Sequence, residues 1–128
     1  MTRLYFSNSD SLGMGNEATC ALDIFGPTAT ASFVDVLVDT GADYIMVPQL
    51  IATRTGINLA GATRLTVRGV GGNVSMWLAS GVSINVNGSS GNCEVLFNPD
   101  PSSMPLVGRN GIELIKNIGF ESTQWHWN

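Results

Sequence analysis

The most informative segment of this chain is Val36-Leu37-Val38-Asp39-Thr40-Gly41-Ala42-Asp43. An apolar run leads into an acid, a hydroxyl and a glycine, which is typical of a buried strand that ends in a tight turn. A buried carboxylate is costly unless it is paired, hydrogen-bonded or protonated. Asp39 is therefore a candidate acid or base catalyst. Thr40 supplies a hydroxyl that can lock the turn, and Gly41 allows other backbone to come close.

Short runs of β-type residues, separated by turn signals, recur on both sides of this segment. The chain contains 15 glycines, and the pattern favours an all-β fold. Strands are predicted over residues 3–6, 19–25, 30–38, 44–47, 63–68, 74–79, 82–86, 93–97, 105–107 and 120–127. One hairpin should join residues 63–68 to 74–79 through a glycine-rich tip, and a second should turn over residues 87–92.

Two short helices are predicted between the strands. Pro48 fits the first turn of a helix over residues 49–55. Isoleucine recurs every three residues from Ile112 to Ile118, which predicts a helix over residues 111–118. A length of 128 residues indicates a single domain, residues 1–128.

Composition excludes several classes of function. Hydrophobic residues make up 44% of the chain and charged residues 12%, which argues against disorder. The net charge is −4 and the six basic residues are scattered, so we expect no nucleic-acid partner. No apolar run approaches the roughly 18 residues of a membrane span. We therefore expect a soluble, cytoplasmic chain without a membrane segment; a longer precursor with a membrane anchor remains an alternative.

The cysteines and the single histidine do not suggest a cofactor. Cys20 and Cys93 lack metal-ligand spacing, so we expect neither a metal site nor a cofactor. The two cysteines are free thiols or one disulfide, and free buried thiols are favoured because small disulfide scaffolds carry more cysteines. His126 has no accompanying nucleophile motif, so we interpret it, with Trp125 and Trp127, as a packing residue of a terminal strand.

Two further motifs follow the Asp-Thr-Gly segment in a fixed order. The hairpin tip Arg68-Gly69-Val70-Gly71-Gly72 lies about 30 residues downstream, and Pro105-Leu106-Val107-Gly108-Arg109-Asn110 leads into the predicted second helix. Together with residues 39–43, these motifs resemble those of the retropepsins, the aspartic proteases of retroviruses. The resemblance covers roughly residues 34–127. A longer N-terminus (residues 1–16) and an insertion over residues 49–63 suggest a cellular or bacterial relative.

The resemblance implies a fold and a set of site residues. The fold would be an all-β acid protease barrel with a flap hairpin and one short C-terminal helix, homodimeric, preceded by the N-terminal extension. The catalytic motif would be Asp39-Thr40-Gly41. The substrate-binding residues would be Ala42, Asp43, Val70, Gly71, Gly72, Met104 and Leu106. Arg109 would form a buried structural ion pair with Asp43.

The chain contains a single Asp-Thr-Gly, whereas aspartic proteases use two carboxylates that share one proton. None of the other aspartates lies in a second apolar-Asp-Thr/Ser-Gly frame. The second carboxylate should therefore come from another copy related by a two-fold axis. The implied activity is that of an aspartic endopeptidase, in which the two Asp39 side chains activate a water and the partners are a second copy and a polypeptide substrate. The alternative is a proteolytically inactive retropepsin-like module for dimerisation or peptide binding.

Overall fold

The computed structural model describes residues 8–11, 18–69, 71–115, 119–120 and 124–127. Within these residues the chain forms ten strands and two short helices, so the expectation of a mostly β fold is confirmed. The strands are β1 (Asn8–Ser11), β2 (Thr19–Phe25), β3 (Thr30–Val38), β4 (Ile45–Pro48), β5 (Thr63–Gly69), β6 (Gly72–Val86), β7 (Ser89–Asn98), β8 (Leu106–Val107), β9 (Gly119–Phe120) and β10 (Gln124–Trp127). The helices are α1 (Leu50–Thr55) and α2 (Arg109–Ile112).

Seven strands form the main sheet in the order β2-β3-β8-β4-β7-β6-β5, and β2 also pairs with β6. That extra pairing closes six of the strands into a ring, from which β5 projects as the outer strand of a hairpin with β6. Closing a sheet on itself removes most of its free edges. The only strand of this sheet that lies outside the ring is therefore β5.

The ring encloses the main apolar core. Along β2 the residues Cys20, Leu22 and Ile24 are buried, which is the alternation expected of a strand with one face inward. Ile45 and Phe97, from two other strands of the ring, are completely buried. Burying one such side chain stabilises the fold by about 1.5–3 kcal/mol.

Strand β8 places the Gly-Arg-Asn segment next to the Asp-Thr-Gly segment. It runs parallel to β3, with Leu106 opposite Leu37 and Val107 opposite Val38. It is also antiparallel to β4, where Leu106 lies opposite Met46. The residues that follow β3 and β8 therefore leave the sheet side by side.

Strand β6 is longer than the sequence indicated. Residues 74–79 and 82–86 are parts of one strand of 15 residues. Between them Ser80 and Gly81 oppose the single residue Glu94, because the register with β7 shifts between Ala79 and Val82. Gly81 adopts a φ of 67°, a conformation that glycine reaches without a steric penalty. Here the glycine marks a β-bulge and not the end of a strand.

The second hairpin is confirmed, with a shorter turn than expected. Val86 pairs directly with Ser89, so the turn is Asn87-Gly88 and not residues 87–92. Asn87 and Gly88 have φ values of 48° and 91°, as a two-residue turn between twisted strands requires.

Both helices differ slightly from expectation. Pro48 is the last residue of β4, and the N-cap of α1 is Gln49. Helix α2 begins at Arg109, two residues earlier than predicted, and ends at Ile112. Beyond it, Ile115 donates its N–H to the carbonyl of Ile112 at 2.9 Å, a three-residue turn that accounts for the spacing of three. Residues 116–118 lie outside the described part of the chain.

A second, three-stranded sheet has the order β1-β10-β9. The tail predicted as one strand over residues 120–127 consists of two short antiparallel strands, with Trp125 opposite Phe120. The strand predicted over residues 3–6 lies outside the described residues, as does most of the N-terminal extension. The predicted packing of His126 and its two tryptophan neighbours concerns side chains that are also outside them.

No helix in the described part of the chain is long and apolar enough to cross a membrane.

Candidate active site

Asp39 lies immediately after β3, in a turn that holds its carboxylate in place. Its backbone N–H donates to the carbonyl of Val107 at 2.9 Å, which ties the turn to β8. The N–H of Gly41 donates to Asp39 Oδ1 at 2.9 Å. Asp39 is half-buried, so the carboxylate is held by backbone on one side and accessible on the other.

Gly41 lies close to the Asp39 carboxylate. A Cβ at this position would lie 3.2 Å from Asp39 Oδ1, tighter than an ordinary van der Waals contact. Thr40 is exposed. A side chain at position 41 would therefore crowd the Asp39 carboxylate, whereas the glycine leaves room beside it.

The loop of residues 42–45 is fastened to the segment that follows β8. Arg109 donates its backbone N–H to the carbonyl of Ala42 at 2.8 Å. The side-chain oxygen of Asn110 accepts the N–H of Ile45 at 2.8 Å, and its amide nitrogen donates to the carbonyl of Glu94 at 2.6 Å. Asn110 thus joins the candidate catalytic loop to β7. These bonds explain the structural role of Arg109 and Asn110: they fasten the loop of residues 42–45 to the sheet.

Gly108 makes the closest approach in this interlock. A Cβ built on it would lie 2.4 Å from the carbonyl oxygen of Tyr44 and 2.8 Å from that of Ala42. Both obstacles are backbone atoms, which cannot rotate away as a side chain can. Only glycine fits here without moving the loop.

Asp43 and Arg109 form the expected ion pair, with Arg109 Nη2 donating to Asp43 Oδ1. The expectation that the pair is buried is wrong for the described chain, because the Arg109 and Asp43 side chains are 61% and 64% exposed. The described residues leave both side chains largely uncovered. An exposed pair of this kind contributes at most about 1 kcal/mol to stability.

A groove of about 510 Å³ opens beside the loop. One wall is the loop itself, and the other is β5 together with its neighbour Met76. The lining residues are Gly41, Ala42, Asp43, Tyr44, Met46, Leu65, Thr66, Val67, Arg68, Met76, Leu96 and Leu106. Four consecutive residues from each wall line it, so the groove runs along both segments and suits an extended ligand.

Most of the apolar side chains of the groove belong to a small hydrophobic cluster separate from the main core. Its buried members are Met76, Leu78 and Leu96. Leu65 lies opposite Met76 in the β5–β6 hairpin, so these two side chains share one face of the hairpin. That face gives the groove an apolar wall.

Four predicted site residues meet at this groove: Gly41, Ala42, Asp43 and Leu106. Asp39 does not line it. Met104 lies apart on a loop and is 78% exposed. Gly71 and Gly72 are exposed at the hairpin tip and do not line the groove either. Val70 lies outside the described residues.

Sequence reasoning missed most of the apolar lining. Tyr44, Met46, Val67 and Leu96 were not singled out, nor was the Leu65–Met76 pair. The alternation of apolar and polar residues from Thr63 to Gly69 was a usable signal, since it places Leu65 and Val67 on one face. Which wall that face meets depends on pairings between distant strands.

A cavity of about 550 Å³ opens elsewhere, between the end of β2, residues 57–62 and residues 79–83 of β6. None of its lining residues is ionisable, and none belongs to the segment 39–43. In the described part of the chain, no group of three or more His, Cys, Asp or Glu side chains could hold a metal ion. Among the described residues this cavity therefore offers no acid or base, whereas the groove beside the loop is lined by Asp43 and Arg68.

Comparison with known proteins agrees with this geometry. A family model described as aspartyl protease matches residues 23–110, which is more than half of the chain. The match includes the Asp-Thr-Gly turn, the β5–β6 hairpin and the Gly-Arg-Asn segment. No curated protein matches the chain significantly. The chain belongs to the retropepsin-like aspartyl protease family.

Proposed function

We propose that this protein is an aspartic endopeptidase that acts as a homodimer, with one Asp39 from each copy. The observation that carries the proposal is the interlock of the Asp39 turn with the segment after β8, beside a groove with an apolar wall. Backbone bonds hold Asp39 on one side, and its other side is accessible. A preorganised, accessible carboxylate next to an extended groove is what peptide hydrolysis needs.

The proposed chemistry uses a carboxylate pair that shares one proton, for which aspartic proteases are the standard example. The ionised Asp39 takes a proton from a water held between the two carboxylates. The water oxygen adds to the peptide carbonyl carbon while the protonated Asp39 gives its proton to the carbonyl oxygen. As the diol collapses and the C–N bond breaks, the Asp39 that took the water proton gives it to the leaving nitrogen, and the other Asp39 takes a proton from a diol hydroxyl. The pair is then ready for a new water.

The single Asp-Thr-Gly of the chain supports the requirement for two copies. Two carboxyl groups about 3 Å apart do not both ionise, so each Asp39 needs the Asp39 of the second copy to share the proton. Thr40 follows Asp39 and is exposed, so it is available for contact with a second copy. In this proposal Asp39, Thr40 and Gly41 form the catalytic motif, and the whole chain is one domain.

The β5–β6 hairpin is proposed as the flap over a bound peptide. Its tip carries the exposed Gly71 and Gly72, whose backbone groups are free of bulky side chains. The peptide would lie extended between the hairpin and the loop, in contact with Ala42 and Leu106. We assign the outlying Met104 to the same binding surface, because a side chain 78% exposed gains most from being covered by substrate.

The test compares wild type with Asp39→Asn on a peptide library, with Asp35→Asn as the matched control. The amide keeps the shape of the carboxylate but cannot act as a base, so we expect cleavage to fall at least 10³-fold (order of magnitude) in Asp39→Asn. Asp35 is an exposed acid on β3 with a φ of 54°, a conformation that Asn tolerates. Asp35→Asn should retain full activity.

Equal cleavage by wild type and Asp39→Asn would refute the catalytic role of Asp39. Peptide binding without any cleavage by wild type would instead favour the alternative function, an inactive peptide-binding or dimerisation module. Circular dichroism and gel filtration should show the same fold and assembly for all three proteins.

A further inference from the structure

One charge in the groove has no partner within the described part of the chain. The only charged residues that line the groove are Asp43 and Arg68. Arg109 pairs with Asp43, so that carboxylate is balanced at the site. Arg68 is exposed and forms no salt bridge with the residues that the structure describes. Arg68 leaves β5 on the face opposite Leu65 and Val67, so it lines the edge of the groove and not its apolar wall. Among the described residues its positive charge is uncompensated.

Another arginine on the same strand provides a contrast. Arg64 is also exposed on β5, but its Nε and Nη2 both donate to Ser75 Oγ, at 3.1 and 3.0 Å. It does not line the groove. Arg64 is thus held across the hairpin, whereas the Arg68 side chain forms no hydrogen bond or salt bridge with the residues that the structure describes.

The position of Arg68 indicates which part of a ligand it meets. It pairs with Asn73 next to the hairpin tip. Asp39, where the bond would be cut, is absent from the groove lining. An extended peptide in the groove would therefore meet Arg68 at a position away from the scissile bond. Most of the other lining side chains are apolar, so an apolar neighbour would fill the rest of the groove.

We propose that the groove selects polypeptides with an acidic side chain beside Arg68, next to an apolar side chain that packs on Leu65 and Met76. This inference rests on the proposed endopeptidase function and adds the class of substrate. A guanidinium recognises a carboxylate through charge-assisted, often paired, hydrogen bonds. Because Arg68 is exposed, water and salt weaken the attraction, and the preference should be about two- to fivefold.

The first experiment measures kcat/KM on peptide pairs that differ only by Glu against Gln at one position, scanned along the peptide. Wild type should prefer Glu at one position outside the residues flanking the cut, and the preference should shrink as salt rises. Arg68→Gln should abolish it and Arg68→Glu should reverse it. Arg64→Gln is the matched control and should preserve it.

The second experiment measures binding of the same labelled peptides by fluorescence anisotropy, in Asp39→Asn with and without Arg68→Gln. An Arg68-dependent preference for Glu without cleavage by wild type would overturn the proposed endopeptidase and leave this inference standing. Cleavage with equal rates for Glu and Gln, or a preference that survives Arg68→Gln, would overturn this inference alone. Neither cleavage nor preferential binding would overturn both.

Discussion

At the scale of single residues, the candidate site depends on how closely backbone segments approach each other. The contacts of Gly108 with the backbone of Tyr44 and Ala42 leave no room for a methyl group. Gly108→Ala should push the loop of residues 42–44 away from β8, at a cost of about 1–3 kcal/mol in the free energy of unfolding. The value of kcat/KM should fall as well, even under conditions where the variant is fully folded, because the same loop adjoins Asp39. Urea denaturation and kcat/KM measure the two effects.

Gly61→Ala is the matched control for that prediction. A Cβ on Gly61 would meet nothing within 4 Å, and Gly61 does not have a positive φ. Its replacement should leave stability within about 0.5 kcal/mol of wild type and activity unchanged. If Gly108→Ala were as stable and active as Gly61→Ala, the interlock would not be what holds the loop.

Several of these residues could be predicted from sequence because they contact one another through short, local geometry. Asp39, Arg109 and Gly108 belong to motifs whose spacing already implies a turn beside a glycine. The exposure of the Arg109–Asp43 pair could not be predicted in that way. Burial depends on what covers a side chain, and the described residues leave this pair largely uncovered.

At the scale of strands and helices, the pattern of apolar and polar residues, together with the turn residues, predicted most strands of the ring. β2 and β3 begin and end where the sequence placed them, because β-branched and apolar runs ended by turn residues are local signals. The continuity of β6 through Ser80-Gly81 was missed, since a bulge glycine and a turn glycine are identical in sequence. The pairing of β2 with β6 that closes the ring joins residues about 60 apart and has no local signal.

The strands of the ring also determine how deeply the two cysteine thiols are buried and hence their pKa values. Both thiols are free, as the sequence favoured; Cys20 on β2 is buried and Cys93 on β7 is half-buried. Burial raises the pKa of the Cys20 thiol to about 12. Burial, and then the nearby Glu94 carboxylate, raises the pKa of the Cys93 thiol to about 11. Both thiols therefore stay protonated in the folded protein at pH values where an unfolded chain would ionise them.

This difference predicts a loss of stability in alkali. The thiols contribute their full share below the unfolded pKa of 9.0, and that share is lost as the pH rises towards 11 and then 12. We expect the free energy of unfolding, measured in urea, to decrease between pH 8 and pH 10.5. Cys20→Ala should lower stability at both pH values, since it leaves a cavity, but should reduce the decrease between them.

Thiol labelling provides an independent measurement of the same burial. At pH 8 a disulfide reagent should react with Cys93 faster than with Cys20, and both should react at once in denaturant. Equal and rapid labelling of both cysteines in the folded protein would show that β2 and β7 are not packed as described.

At the scale of the whole molecule, one copy provides only half of the proposed active site. Backbone hydrogen bonds hold Asp39 on one side, while its other side and Thr40 are accessible to solvent. The chemistry needs a second carboxylate, and the only apolar-Asp-Thr-Gly frame in the chain is the one at Asp39. Activity should therefore follow the number of dimers in which both copies carry Asp39, and not the number of intact chains.

Mixing wild type with Asp39→Asn tests this pairing directly. If the chains exchange freely and an equal mixture is assayed at constant total protein, about one quarter of the dimers are wild type on both sides. Activity should then fall to about 25% of the pure wild-type value, because mixed dimers hold a single carboxylate and cannot share a proton as the mechanism requires. Chains that act alone would give about 50%, since half of them remain intact. The same mixture made with Asp35→Asn should keep full activity, which separates loss of the carboxylate from any effect of subunit exchange. A linear decline with the Asp39→Asn fraction would show that each chain carries a complete site and would refute the shared pair.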